Sequence, residues 1–279
     1  MNRPGIAGRR RSPVRGLAAA AVTVTVAWAG GIAAAATPAA PPHIEPPPST
    51  ASALQILEFA TASSGGDAWL HAETNVMEGH ATLCRDADPA KCVTADRYVM
   101  YRRYPRELRA AHAGTGQFRL DAVAKGRVLF QTAFDGTRSY DQNGPVPPER
   151  AASDEASAFG FSAIRFAREP GFRVERLTDD DVEGRPCFLV RVTDPSGSHT
   201  LFAIDREDGT IRMAAWPTPR GWHHRLYSNF YWVPDPGFRQ PGRVRLYYQG
   251  LKTVDIRWTS ASINRPLPDE LFVLPQAPR

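Results

Sequence analysis

The chain has 279 residues, of which 42% are hydrophobic and 23% are charged. This ordinary globular composition excludes intrinsic disorder, collagen and coiled coil as descriptions of the whole chain. The formal net charge of +5 arises in residues 1–36, which contain five arginines and no acidic residue. Without those five arginines the 34 basic residues fall to 29, which equals the 29 acidic residues. The remainder therefore lacks the excess positive charge that nucleic-acid binding requires, and we expect no nucleic-acid partner.

Residues 1–36 are predicted to be a secretory signal peptide. Their arginines precede an uncharged stretch at 17–36 that ends in small residues, which is the order of a basic region, an apolar region and a cleavage site. We expect cleavage near Ala36 and export to the periplasm. The alternative is an uncleaved inner-membrane anchor, because twenty uncharged residues are about the minimum span of a bilayer. The stretch is mostly Ala, Gly and Thr, which insert less strongly than Leu or Phe and therefore favour cleavage.

Residues 37–50 (TPAAPPHIEPPPST) are predicted to be a Pro-rich, disordered linker. Proline removes backbone donors and fixes φ, so this segment forms neither helix nor sheet and stays extended. Residues 51–279 follow without a second linker or an internal repeat. About 230 residues suffice for one domain with a substantial core.

Cys84 and Cys92 are predicted to form a disulfide. They flank RDADPAK, a polar loop that turns the chain back, and an exported protein meets an oxidising compartment. The alternative is a metal site, but two cysteines without nearby partners are too few ligands. Cys187 lies in the strand pattern PCFLVRV and is predicted to be a small core residue.

Two helices are predicted. The first begins at a cap on Ser49 or Thr50 and ends at Gly65-Gly66, while the second covers residues 152–167 and ends before Pro170-Gly171. The apolar face of the first helix is predicted to consist of Leu54, Leu57 and Ala60.

Most of the remaining chain shows strand patterns separated by short turns. On the last strand, apolar side chains alternate with polar ones, which is typical of an antiparallel sheet with one face exposed to water. A sheet of about ten strands does not stay flat. We therefore expect a mainly β fold with some helix (α+β), in which a curved antiparallel sheet forms an unclosed half-barrel and helices cover its concave face. The predicted strands are residues 72–83, 97–104, 108–113, 117–123, 127–134, 137–141, 172–177, 187–192, 200–205, 211–215, 225–232, 243–249 and 253–260.

Four short motifs occur in order along the chain: GGDAW at 65–69, FDG at 134–136 followed by Tyr140, LFAID at 201–205 followed by Asp208-Gly209, and INRPLPDELF at 263–272 followed by Pro275. Together they resemble the LolA/LolB-like periplasmic superfamily, which includes outer-membrane lipoprotein-sorting proteins. The resemblance covers essentially all of residues 51–279 and implies an unclosed β-barrel with an α-helical lid and a hydrophobic cavity for acyl chains. The chain departs from the pattern at residues 232–242, where a short Gly-containing turn is usual, and in its additional cysteine loop.

Sequence motifs for catalysis, cofactors or metals are not found. No histidine lies in a metalloprotease motif, and the chain has no nucleophile elbow, phosphate loop or dinucleotide fingerprint. His223 and His224 are predicted to be a rim or surface pair, because neighbouring residues of a strand face opposite ways. Asp179-Asp180-Asp181 lacks EF-hand spacing and is predicted to be a solvated turn. We expect no enzyme activity, no cofactor and no metal.

The aromatic residues are the remaining signal, since they are spread over many strands. Aromatic residues most often form an ordinary core, but an incompletely closed sheet favours a cavity for apolar ligands. We therefore predict a monomeric carrier of lipid or lipoprotein acyl chains with transient membrane contact, or alternatively a module that binds an envelope protein. A hydrolase on the same scaffold is the least favoured alternative. Arg119 and Arg257 are candidate head-group ligands, and Phe159 and Phe161 would belong to a movable lid. The full set of predicted ligand-binding residues is Phe118, Phe130, Phe134, Phe159, Phe161, Phe202, Trp222 and Trp258.

Overall fold

The computed structural model describes residues 41–105, 116–148 and 160–275, and in these residues fourteen strands form a single antiparallel sheet. Two α-helices, α1 (Ala53–Ser64) and α2 (Asp67–Leu70), precede the first strand. Short 3₁₀ segments occur at Arg85–Ala87, Pro89–Lys91, Gly160–Phe166 and Asp269–Phe272. The strands are β1 (Thr74–Cys84), β2 (Cys92–Arg103), β3 (Gln117–Ala124), β4 (Arg127–Phe134), β5 (Ser139–Asp141), β6 (Gly144–Pro145), β7 (Arg173–Arg176), β8 (Asp180–Val182), β9 (Arg185–Thr193), β10 (His199–Asp205), β11 (Ile211–Thr218), β12 (Gly221–Val233), β13 (Phe238–Tyr248) and β14 (Leu251–Ile263).

The sheet consists of two antiparallel meanders joined at β1 and β14. Its strand order is β6-β5-β4-β3-β2-β1-β14-β13-β12-β11-β10-β9-β7, and β8 pairs with β9 beside this path. Within the described residues the end strands β6 and β7 do not pair with each other, so the sheet is not closed. The predicted fold class, a curved antiparallel half-barrel with helices, is confirmed.

The N-cap of helix α1 is Ser52 rather than Ser49 or Thr50. The Ser52 side chain accepts a hydrogen bond from the amide of Gln55, and the Gln55 side chain accepts one from the amide of Ser52. This reciprocal pair satisfies two backbone donors of the first turn. The helix ends at Gly65, as predicted, where φ is 128°.

The buried face of α1 differs in part from the predicted one. Leu57 and Ala60 are buried, as expected, together with Ile56 and Phe59, but Leu54 is 49% exposed. Leu54 therefore belongs to the solvent side of the helix, and the stripe that packs on the sheet is rotated away from it.

The C-terminal segment packs across the outer face of β2 and β3. Arg103 on β2 bonds to Asp269 (2.5 Å) and to the carbonyl oxygen of Leu267, and its guanidinium lies over the ring of Phe272. Phe272 is completely buried. The motif at 263–272 therefore anchors the end of the chain to the sheet.

The predicted strands agree with the observed ones except at a few positions. The strand predicted at 108–113 and residues 152–159 of the second predicted helix lie outside the described residues. Residues 160–166 of that helix form a 3₁₀ segment. The aspartate run predicted to be a turn contributes to β8, a short strand that pairs with β9, and Asp179 bonds to Arg176 at 2.9 Å. Residues 232–242 form the end of a long hairpin, because β12 reaches Val233 and β13 starts at Phe238.

Cys84 and Cys92 form a disulfide, and Cys187 is a buried free thiol. The two bridged residues are also directly paired across β1 and β2. The bridge confirms the sequence prediction, and it closes a loop with a sequence separation of 8.

Replacing both Cys84 and Cys92 with serine is expected to lower the free energy of unfolding by roughly 2–3 kcal/mol, because the bridge restricts the unfolded chain. Urea unfolding of the oxidised protein measures this loss. Cys187→Ser serves as the control, since its thiol takes no part in the bridge. Equal stability of the oxidised wild type and the double variant would contradict the expectation.

Candidate functional site

The candidate site is a cavity of about 410 Å³ on the inner face of the sheet. Strands β1–β4 and β11–β14 provide most of its wall, and α2 and the 3₁₀ segment Gly160–Phe166 contribute one residue each. This volume is typical of a site for a single small ligand. Much of the wall is apolar and includes Met77, Met100, Leu120, Phe130, Leu246 and Trp258.

Strand alternation selects the side chains that reach the cavity. Phe118 and Leu120 on β3 line it, and Ile256 and Trp258 on β14 do the same from the other side of β1 and β2. Successive side chains of a strand point to opposite faces. The intervening residues, such as Arg257, therefore belong to the outer face.

Four arginines line the cavity. Arg102, Arg165 and Arg225 come from β2, the 3₁₀ segment and β12. The fourth, Arg239, lies on β13, where its Nη1 donates to the carbonyl oxygen of Asp208 at 3.4 Å. The guanidinium carbon of Arg165 lies 3.9 Å from the ring centre of Tyr104 and 4.9 Å from that of Trp69. Arg102 lies over the same tyrosine ring at 4.9 Å. Cations are attracted to the faces of such rings, which also fix their orientation.

The third arginine is held by its own strand. Nε of Arg225 donates to Nε2 of His223 at 3.0 Å, and its guanidinium lies 5.2 Å from the ring centre of Trp216. Burial, followed by the charge of Arg225, lowers the pKa of His223 to about 2. His223 is therefore neutral at physiological pH and accepts the hydrogen bond that orients Arg225.

The pKa values of this region show that the charges influence one another. Burial, together with smaller contributions from the charges of Arg165 and Arg225, lowers the pKa of Arg102 to about 10. Arg102 nevertheless remains a cation at pH 7. Burial alone would raise the pKa of Tyr104, but the charges of Arg165 and Arg102 outweigh it and hold this pKa below its ordinary value. These arginines thus lie close enough together in this part of the cavity for their charges to interact.

Three of the eight predicted ligand-binding residues, Phe118, Phe130 and Trp258, line the cavity. Three others do not. Phe134 stacks on Phe118 at a ring separation of 6.4 Å, in a small cluster of its own. Phe202 is completely buried in the core, and Trp222 is 45% exposed near the ring of His199. Phe159 and the side chain of Phe161 lie outside the described residues.

The two predicted head-group ligands, Arg119 and Arg257, do not reach the cavity. Arg119 lies on the outer face of β3, where its Nε donates to Asp121 at 3.0 Å and its Nη1 donates to the carbonyl oxygen of Leu271. Arg257 is exposed on β14. Both arginines alternate with cavity residues along their strands. Because successive side chains point to opposite faces of the sheet, Arg119 and Arg257 point away from the cavity.

The sequence did contain a signal for the arginines that line the cavity. Arg102 shares its strand face with Tyr98 and Met100, and Arg225 shares its face with Tyr227, so two-residue periodicity places each with inward-facing neighbours. The signal was hidden because the chain has 31 arginines, most of them outside any pattern.

Metal binding has no support in the described part of the chain, where no group of three or more potential ligands occurs. His223 and His224 face opposite ways, as predicted, but they are not a surface pair. His223 is completely buried between the rings of Trp216 and Tyr248, whereas His224 stacks on Tyr247 at 4.6 Å.

None of the helices in the described residues has the length and the apolar character needed to span a bilayer.

Comparison with known proteins identifies similar folds at low sequence identity. No protein-family model and no curated protein matches the chain. A putative outer membrane lipoprotein-sorting protein domain from Vibrio parahaemolyticus is 14% identical with a TM-score of 0.44, and the match covers 78% of this chain and 95% of that chain. A LolA superfamily protein from Nitrosomonas europaea is 13% identical with a TM-score of 0.47, covering 80% and 98%.

A third similar structure, a DUF1329 family protein from Desulfovibrio piger, is 10% identical with a TM-score of 0.46, and the match covers 80% of this chain and 98% of that chain. The superfamily that the sequence motifs resemble thus recurs among the similar structures. At these identities and TM-scores the likeness carries no conclusion about function, which must be argued from the cavity.

Proposed function

We propose that the protein is a non-enzymatic carrier or binder in the periplasm that takes up an acyl chain of a lipid or an acylated protein. The observation that carries this proposal is the cavity of about 410 Å³ with its largely apolar wall. Each methylene group transferred from water into such a wall contributes about 0.8 kcal/mol. A chain of ordinary length therefore gains enough free energy to be held reversibly.

The architecture supports reversible binding. Because the end strands of the sheet do not pair within the described residues, an apolar ligand could reach the inner face between them as well as from the ends of the strands. The signal-peptide pattern at residues 1–36 supports export. In this proposal the protein acts as a monomer that meets the membrane only while it loads or releases its ligand.

The function is tested with N-phenylnaphthylamine, a neutral dye that fluoresces in apolar sites. We expect the wild type to bind it, and Leu246→Trp to weaken binding at least tenfold, because the larger side chain occupies part of the cavity. Leu251→Trp is the matched control. Leu251 is 61% exposed at the start of β14, which forms a hairpin with β13, the strand of Leu246.

Native mass spectrometry provides an independent measurement, in which we expect lipid to accompany the wild type through purification. A wild type that carries no lipid and takes up no dye would exclude the proposed function. Equal dye binding by Leu246→Trp and Leu251→Trp would show that any uptake occurs outside the cavity.

A further inference from the structure

The cavity wall combines an apolar surface with four arginine side chains, and the described residues of this wall include no Asp or Glu. We propose that the ligand is a single-chain amphiphile whose head group is an oxyanion, a carboxylate or a phosphate, held by Arg102, Arg165 and Arg225. This inference rests on the proposed function, because the same cavity would receive the apolar chain.

Arg165 provides the most direct support. Its Nε and one terminal nitrogen, Nη2, are buried and have no hydrogen-bond partner among the residues that the structure describes. Buried polar groups normally have partners, so two donors without them on one guanidinium indicate a missing acceptor. Nε and a terminal nitrogen of arginine form the fork that binds carboxylate or phosphate through two parallel hydrogen bonds.

The orientation of this fork is fixed before any ligand arrives. The Arg165 guanidinium carbon lies within 4.9 Å of the ring centres of both Trp69 and Tyr104. An arginine held between aromatic rings loses little side-chain freedom when it binds an anion, and this increases affinity.

The positive charges of the three arginines are concentrated in one part of the cavity. Arg102 lies over the ring of Tyr104, which Arg165 also covers. Both Arg165 and Arg225 lower the pKa of Arg102. Like charges in a partly desolvated site repel one another, and a bound anion relieves this repulsion.

The pattern elsewhere in the described chain supports this interpretation. Arg243 meets Asp255 through two hydrogen bonds of 2.9 and 2.6 Å, and Arg185 meets the buried Asp205 at 2.7 and 3.1 Å. The fold thus supplies carboxylates to arginines that serve structure. The described wall of the cavity, by contrast, supplies serine, threonine and tyrosine hydroxyls, amides and apolar groups beside its arginines, and no carboxylate.

The size of the cavity limits the tail. About 410 Å³ is near the lower end of the range of roughly 300–1,000 Å³ seen for small-molecule sites. One acyl chain suits this volume better than two or three. The apolar wall formed by Met100, Leu120 and Phe130 would hold the chain while the arginines hold its head group.

The test compares ligands that share a tail and differ in the head group. Protein expressed from its full-length sequence is loaded with N-phenylnaphthylamine, and displacement is measured with oleate, oleoyl lysophosphatidate, oleyl alcohol and inorganic phosphate. We expect one or both charged amphiphiles to bind about 10- to 100-fold more tightly than oleyl alcohol. The stronger of the two identifies the head group as carboxylate or phosphate, and inorganic phosphate alone should displace no dye.

Arg165→Met is the informative variant, because it keeps an unbranched apolar stem and removes the fork. We expect it to lose most of the preference for the charged amphiphile while binding oleyl alcohol within about twofold of the wild type. Retained oleyl alcohol binding also shows that the variant is folded. Arg257→Met is the control and should retain the preference, since Arg257 is exposed on the outer face. Arg165→Lys, which keeps the charge without the fork, should be intermediate.

The outcomes separate the inference from the proposed function. A wild type that binds oleyl alcohol as tightly as both charged amphiphiles would overturn the inference and leave the carrier function standing. A wild type that binds neither the dye nor any tailed ligand would overturn both. The inference is also overturned if inorganic phosphate competes as well as the amphiphiles, if Arg165→Met weakens oleyl alcohol equally, or if Arg257→Met abolishes the preference.

Discussion

Asp205→Ala is expected to lower the free energy of unfolding by about 3–5 kcal/mol, the cost of removing one partner from a buried ion pair. Asp205 lies at the end of β10 and is 1% exposed. Its carboxylate accepts hydrogen bonds from Arg185 at 2.7 and 3.1 Å and from Arg212 at 3.0 Å. Alanine would leave both guanidinium groups without this acceptor.

The same carboxylate also organises the turn between β10 and β11. It accepts a hydrogen bond from the amide of Glu207 at 2.9 Å, while the backbone amide of Asp205 donates to the carbonyl oxygen of Thr210 at 2.9 Å. Glu207→Ala is the matched control, since Glu207 pairs with Arg185 through a side chain that is 79% exposed. Such a surface pair contributes less than about 1 kcal/mol.

Asp205 also gives this stabilisation a dependence on pH. Burial alone would raise its pKa, but the hydrogen bonds from Arg185 and from the amide of Glu207 outweigh burial and hold the pKa below its ordinary value. An aspartate in the unfolded chain has a pKa of about 3.9. The stabilisation is therefore complete above this value and is lost as the pH falls through the lower pKa of the folded state.

Urea unfolding at pH 7 and at a series of pH values below 4 measures both effects. The wild type should lose stability in acid, and Asp205→Asn should lose less because it has no proton to bind. A similar decline in Asp205→Asn and the wild type would assign the acid sensitivity to other carboxylates. Similar losses of unfolding free energy in Asp205→Ala and Glu207→Ala at pH 7 would contradict the expected contribution of the buried Asp205 carboxylate.

Sequence patterns sufficed for those parts of the fold that depend on neighbours in the chain. The alternation of apolar and polar residues and the Gly-containing turns predict most of the strands. The short polar loop between Cys84 and Cys92 predicts their disulfide, which the structure contains. The pairing of β1 with β14 joins residues about 180 positions apart. Local periodicity carries no information on such a contact, which depends on how the whole sheet curves.

In the candidate site, too, the sequence predicts some of the lining residues and not others. The aromatic character of Phe118, Phe130 and Trp258 predicts an apolar site, and these residues line the cavity. Arg119 lies between two cavity residues of β3 and therefore belongs to the outer face. Arg165 was harder to find, because it reaches the cavity from a 3₁₀ segment. Its role depends on rings supplied by two other elements, and only the folded structure brings them together.

Gly79→Ala is expected to destabilise the fold by about 3 kcal/mol or more, because it inserts an atom into a closed backbone contact. Gly79 lies on β1 opposite Trp258 of β14, next to a register shift between Glu78 and Gly79. A Cβ at this position would lie 1.9 Å from the carbonyl oxygen of Arg257 and 2.9 Å from Cα of Trp258. Since backbone cannot rotate away as a flexible side chain can, the two strands must separate.

The paired strands β1 and β14 join the two meanders and also form part of the cavity wall, since Met77 on β1 and Trp258 on β14 line the cavity. Gly79→Ala should therefore weaken the binding of N-phenylnaphthylamine as well as lower the midpoint of thermal unfolding. Gly126→Ala is the control: no atom lies within 4 Å of its Cβ position, and its φ of +74° costs an alanine only about 1–2 kcal/mol. If both variants lose equal stability and retain full dye binding, then the contact at Gly79 is not what holds the two halves of the sheet together around the ligand.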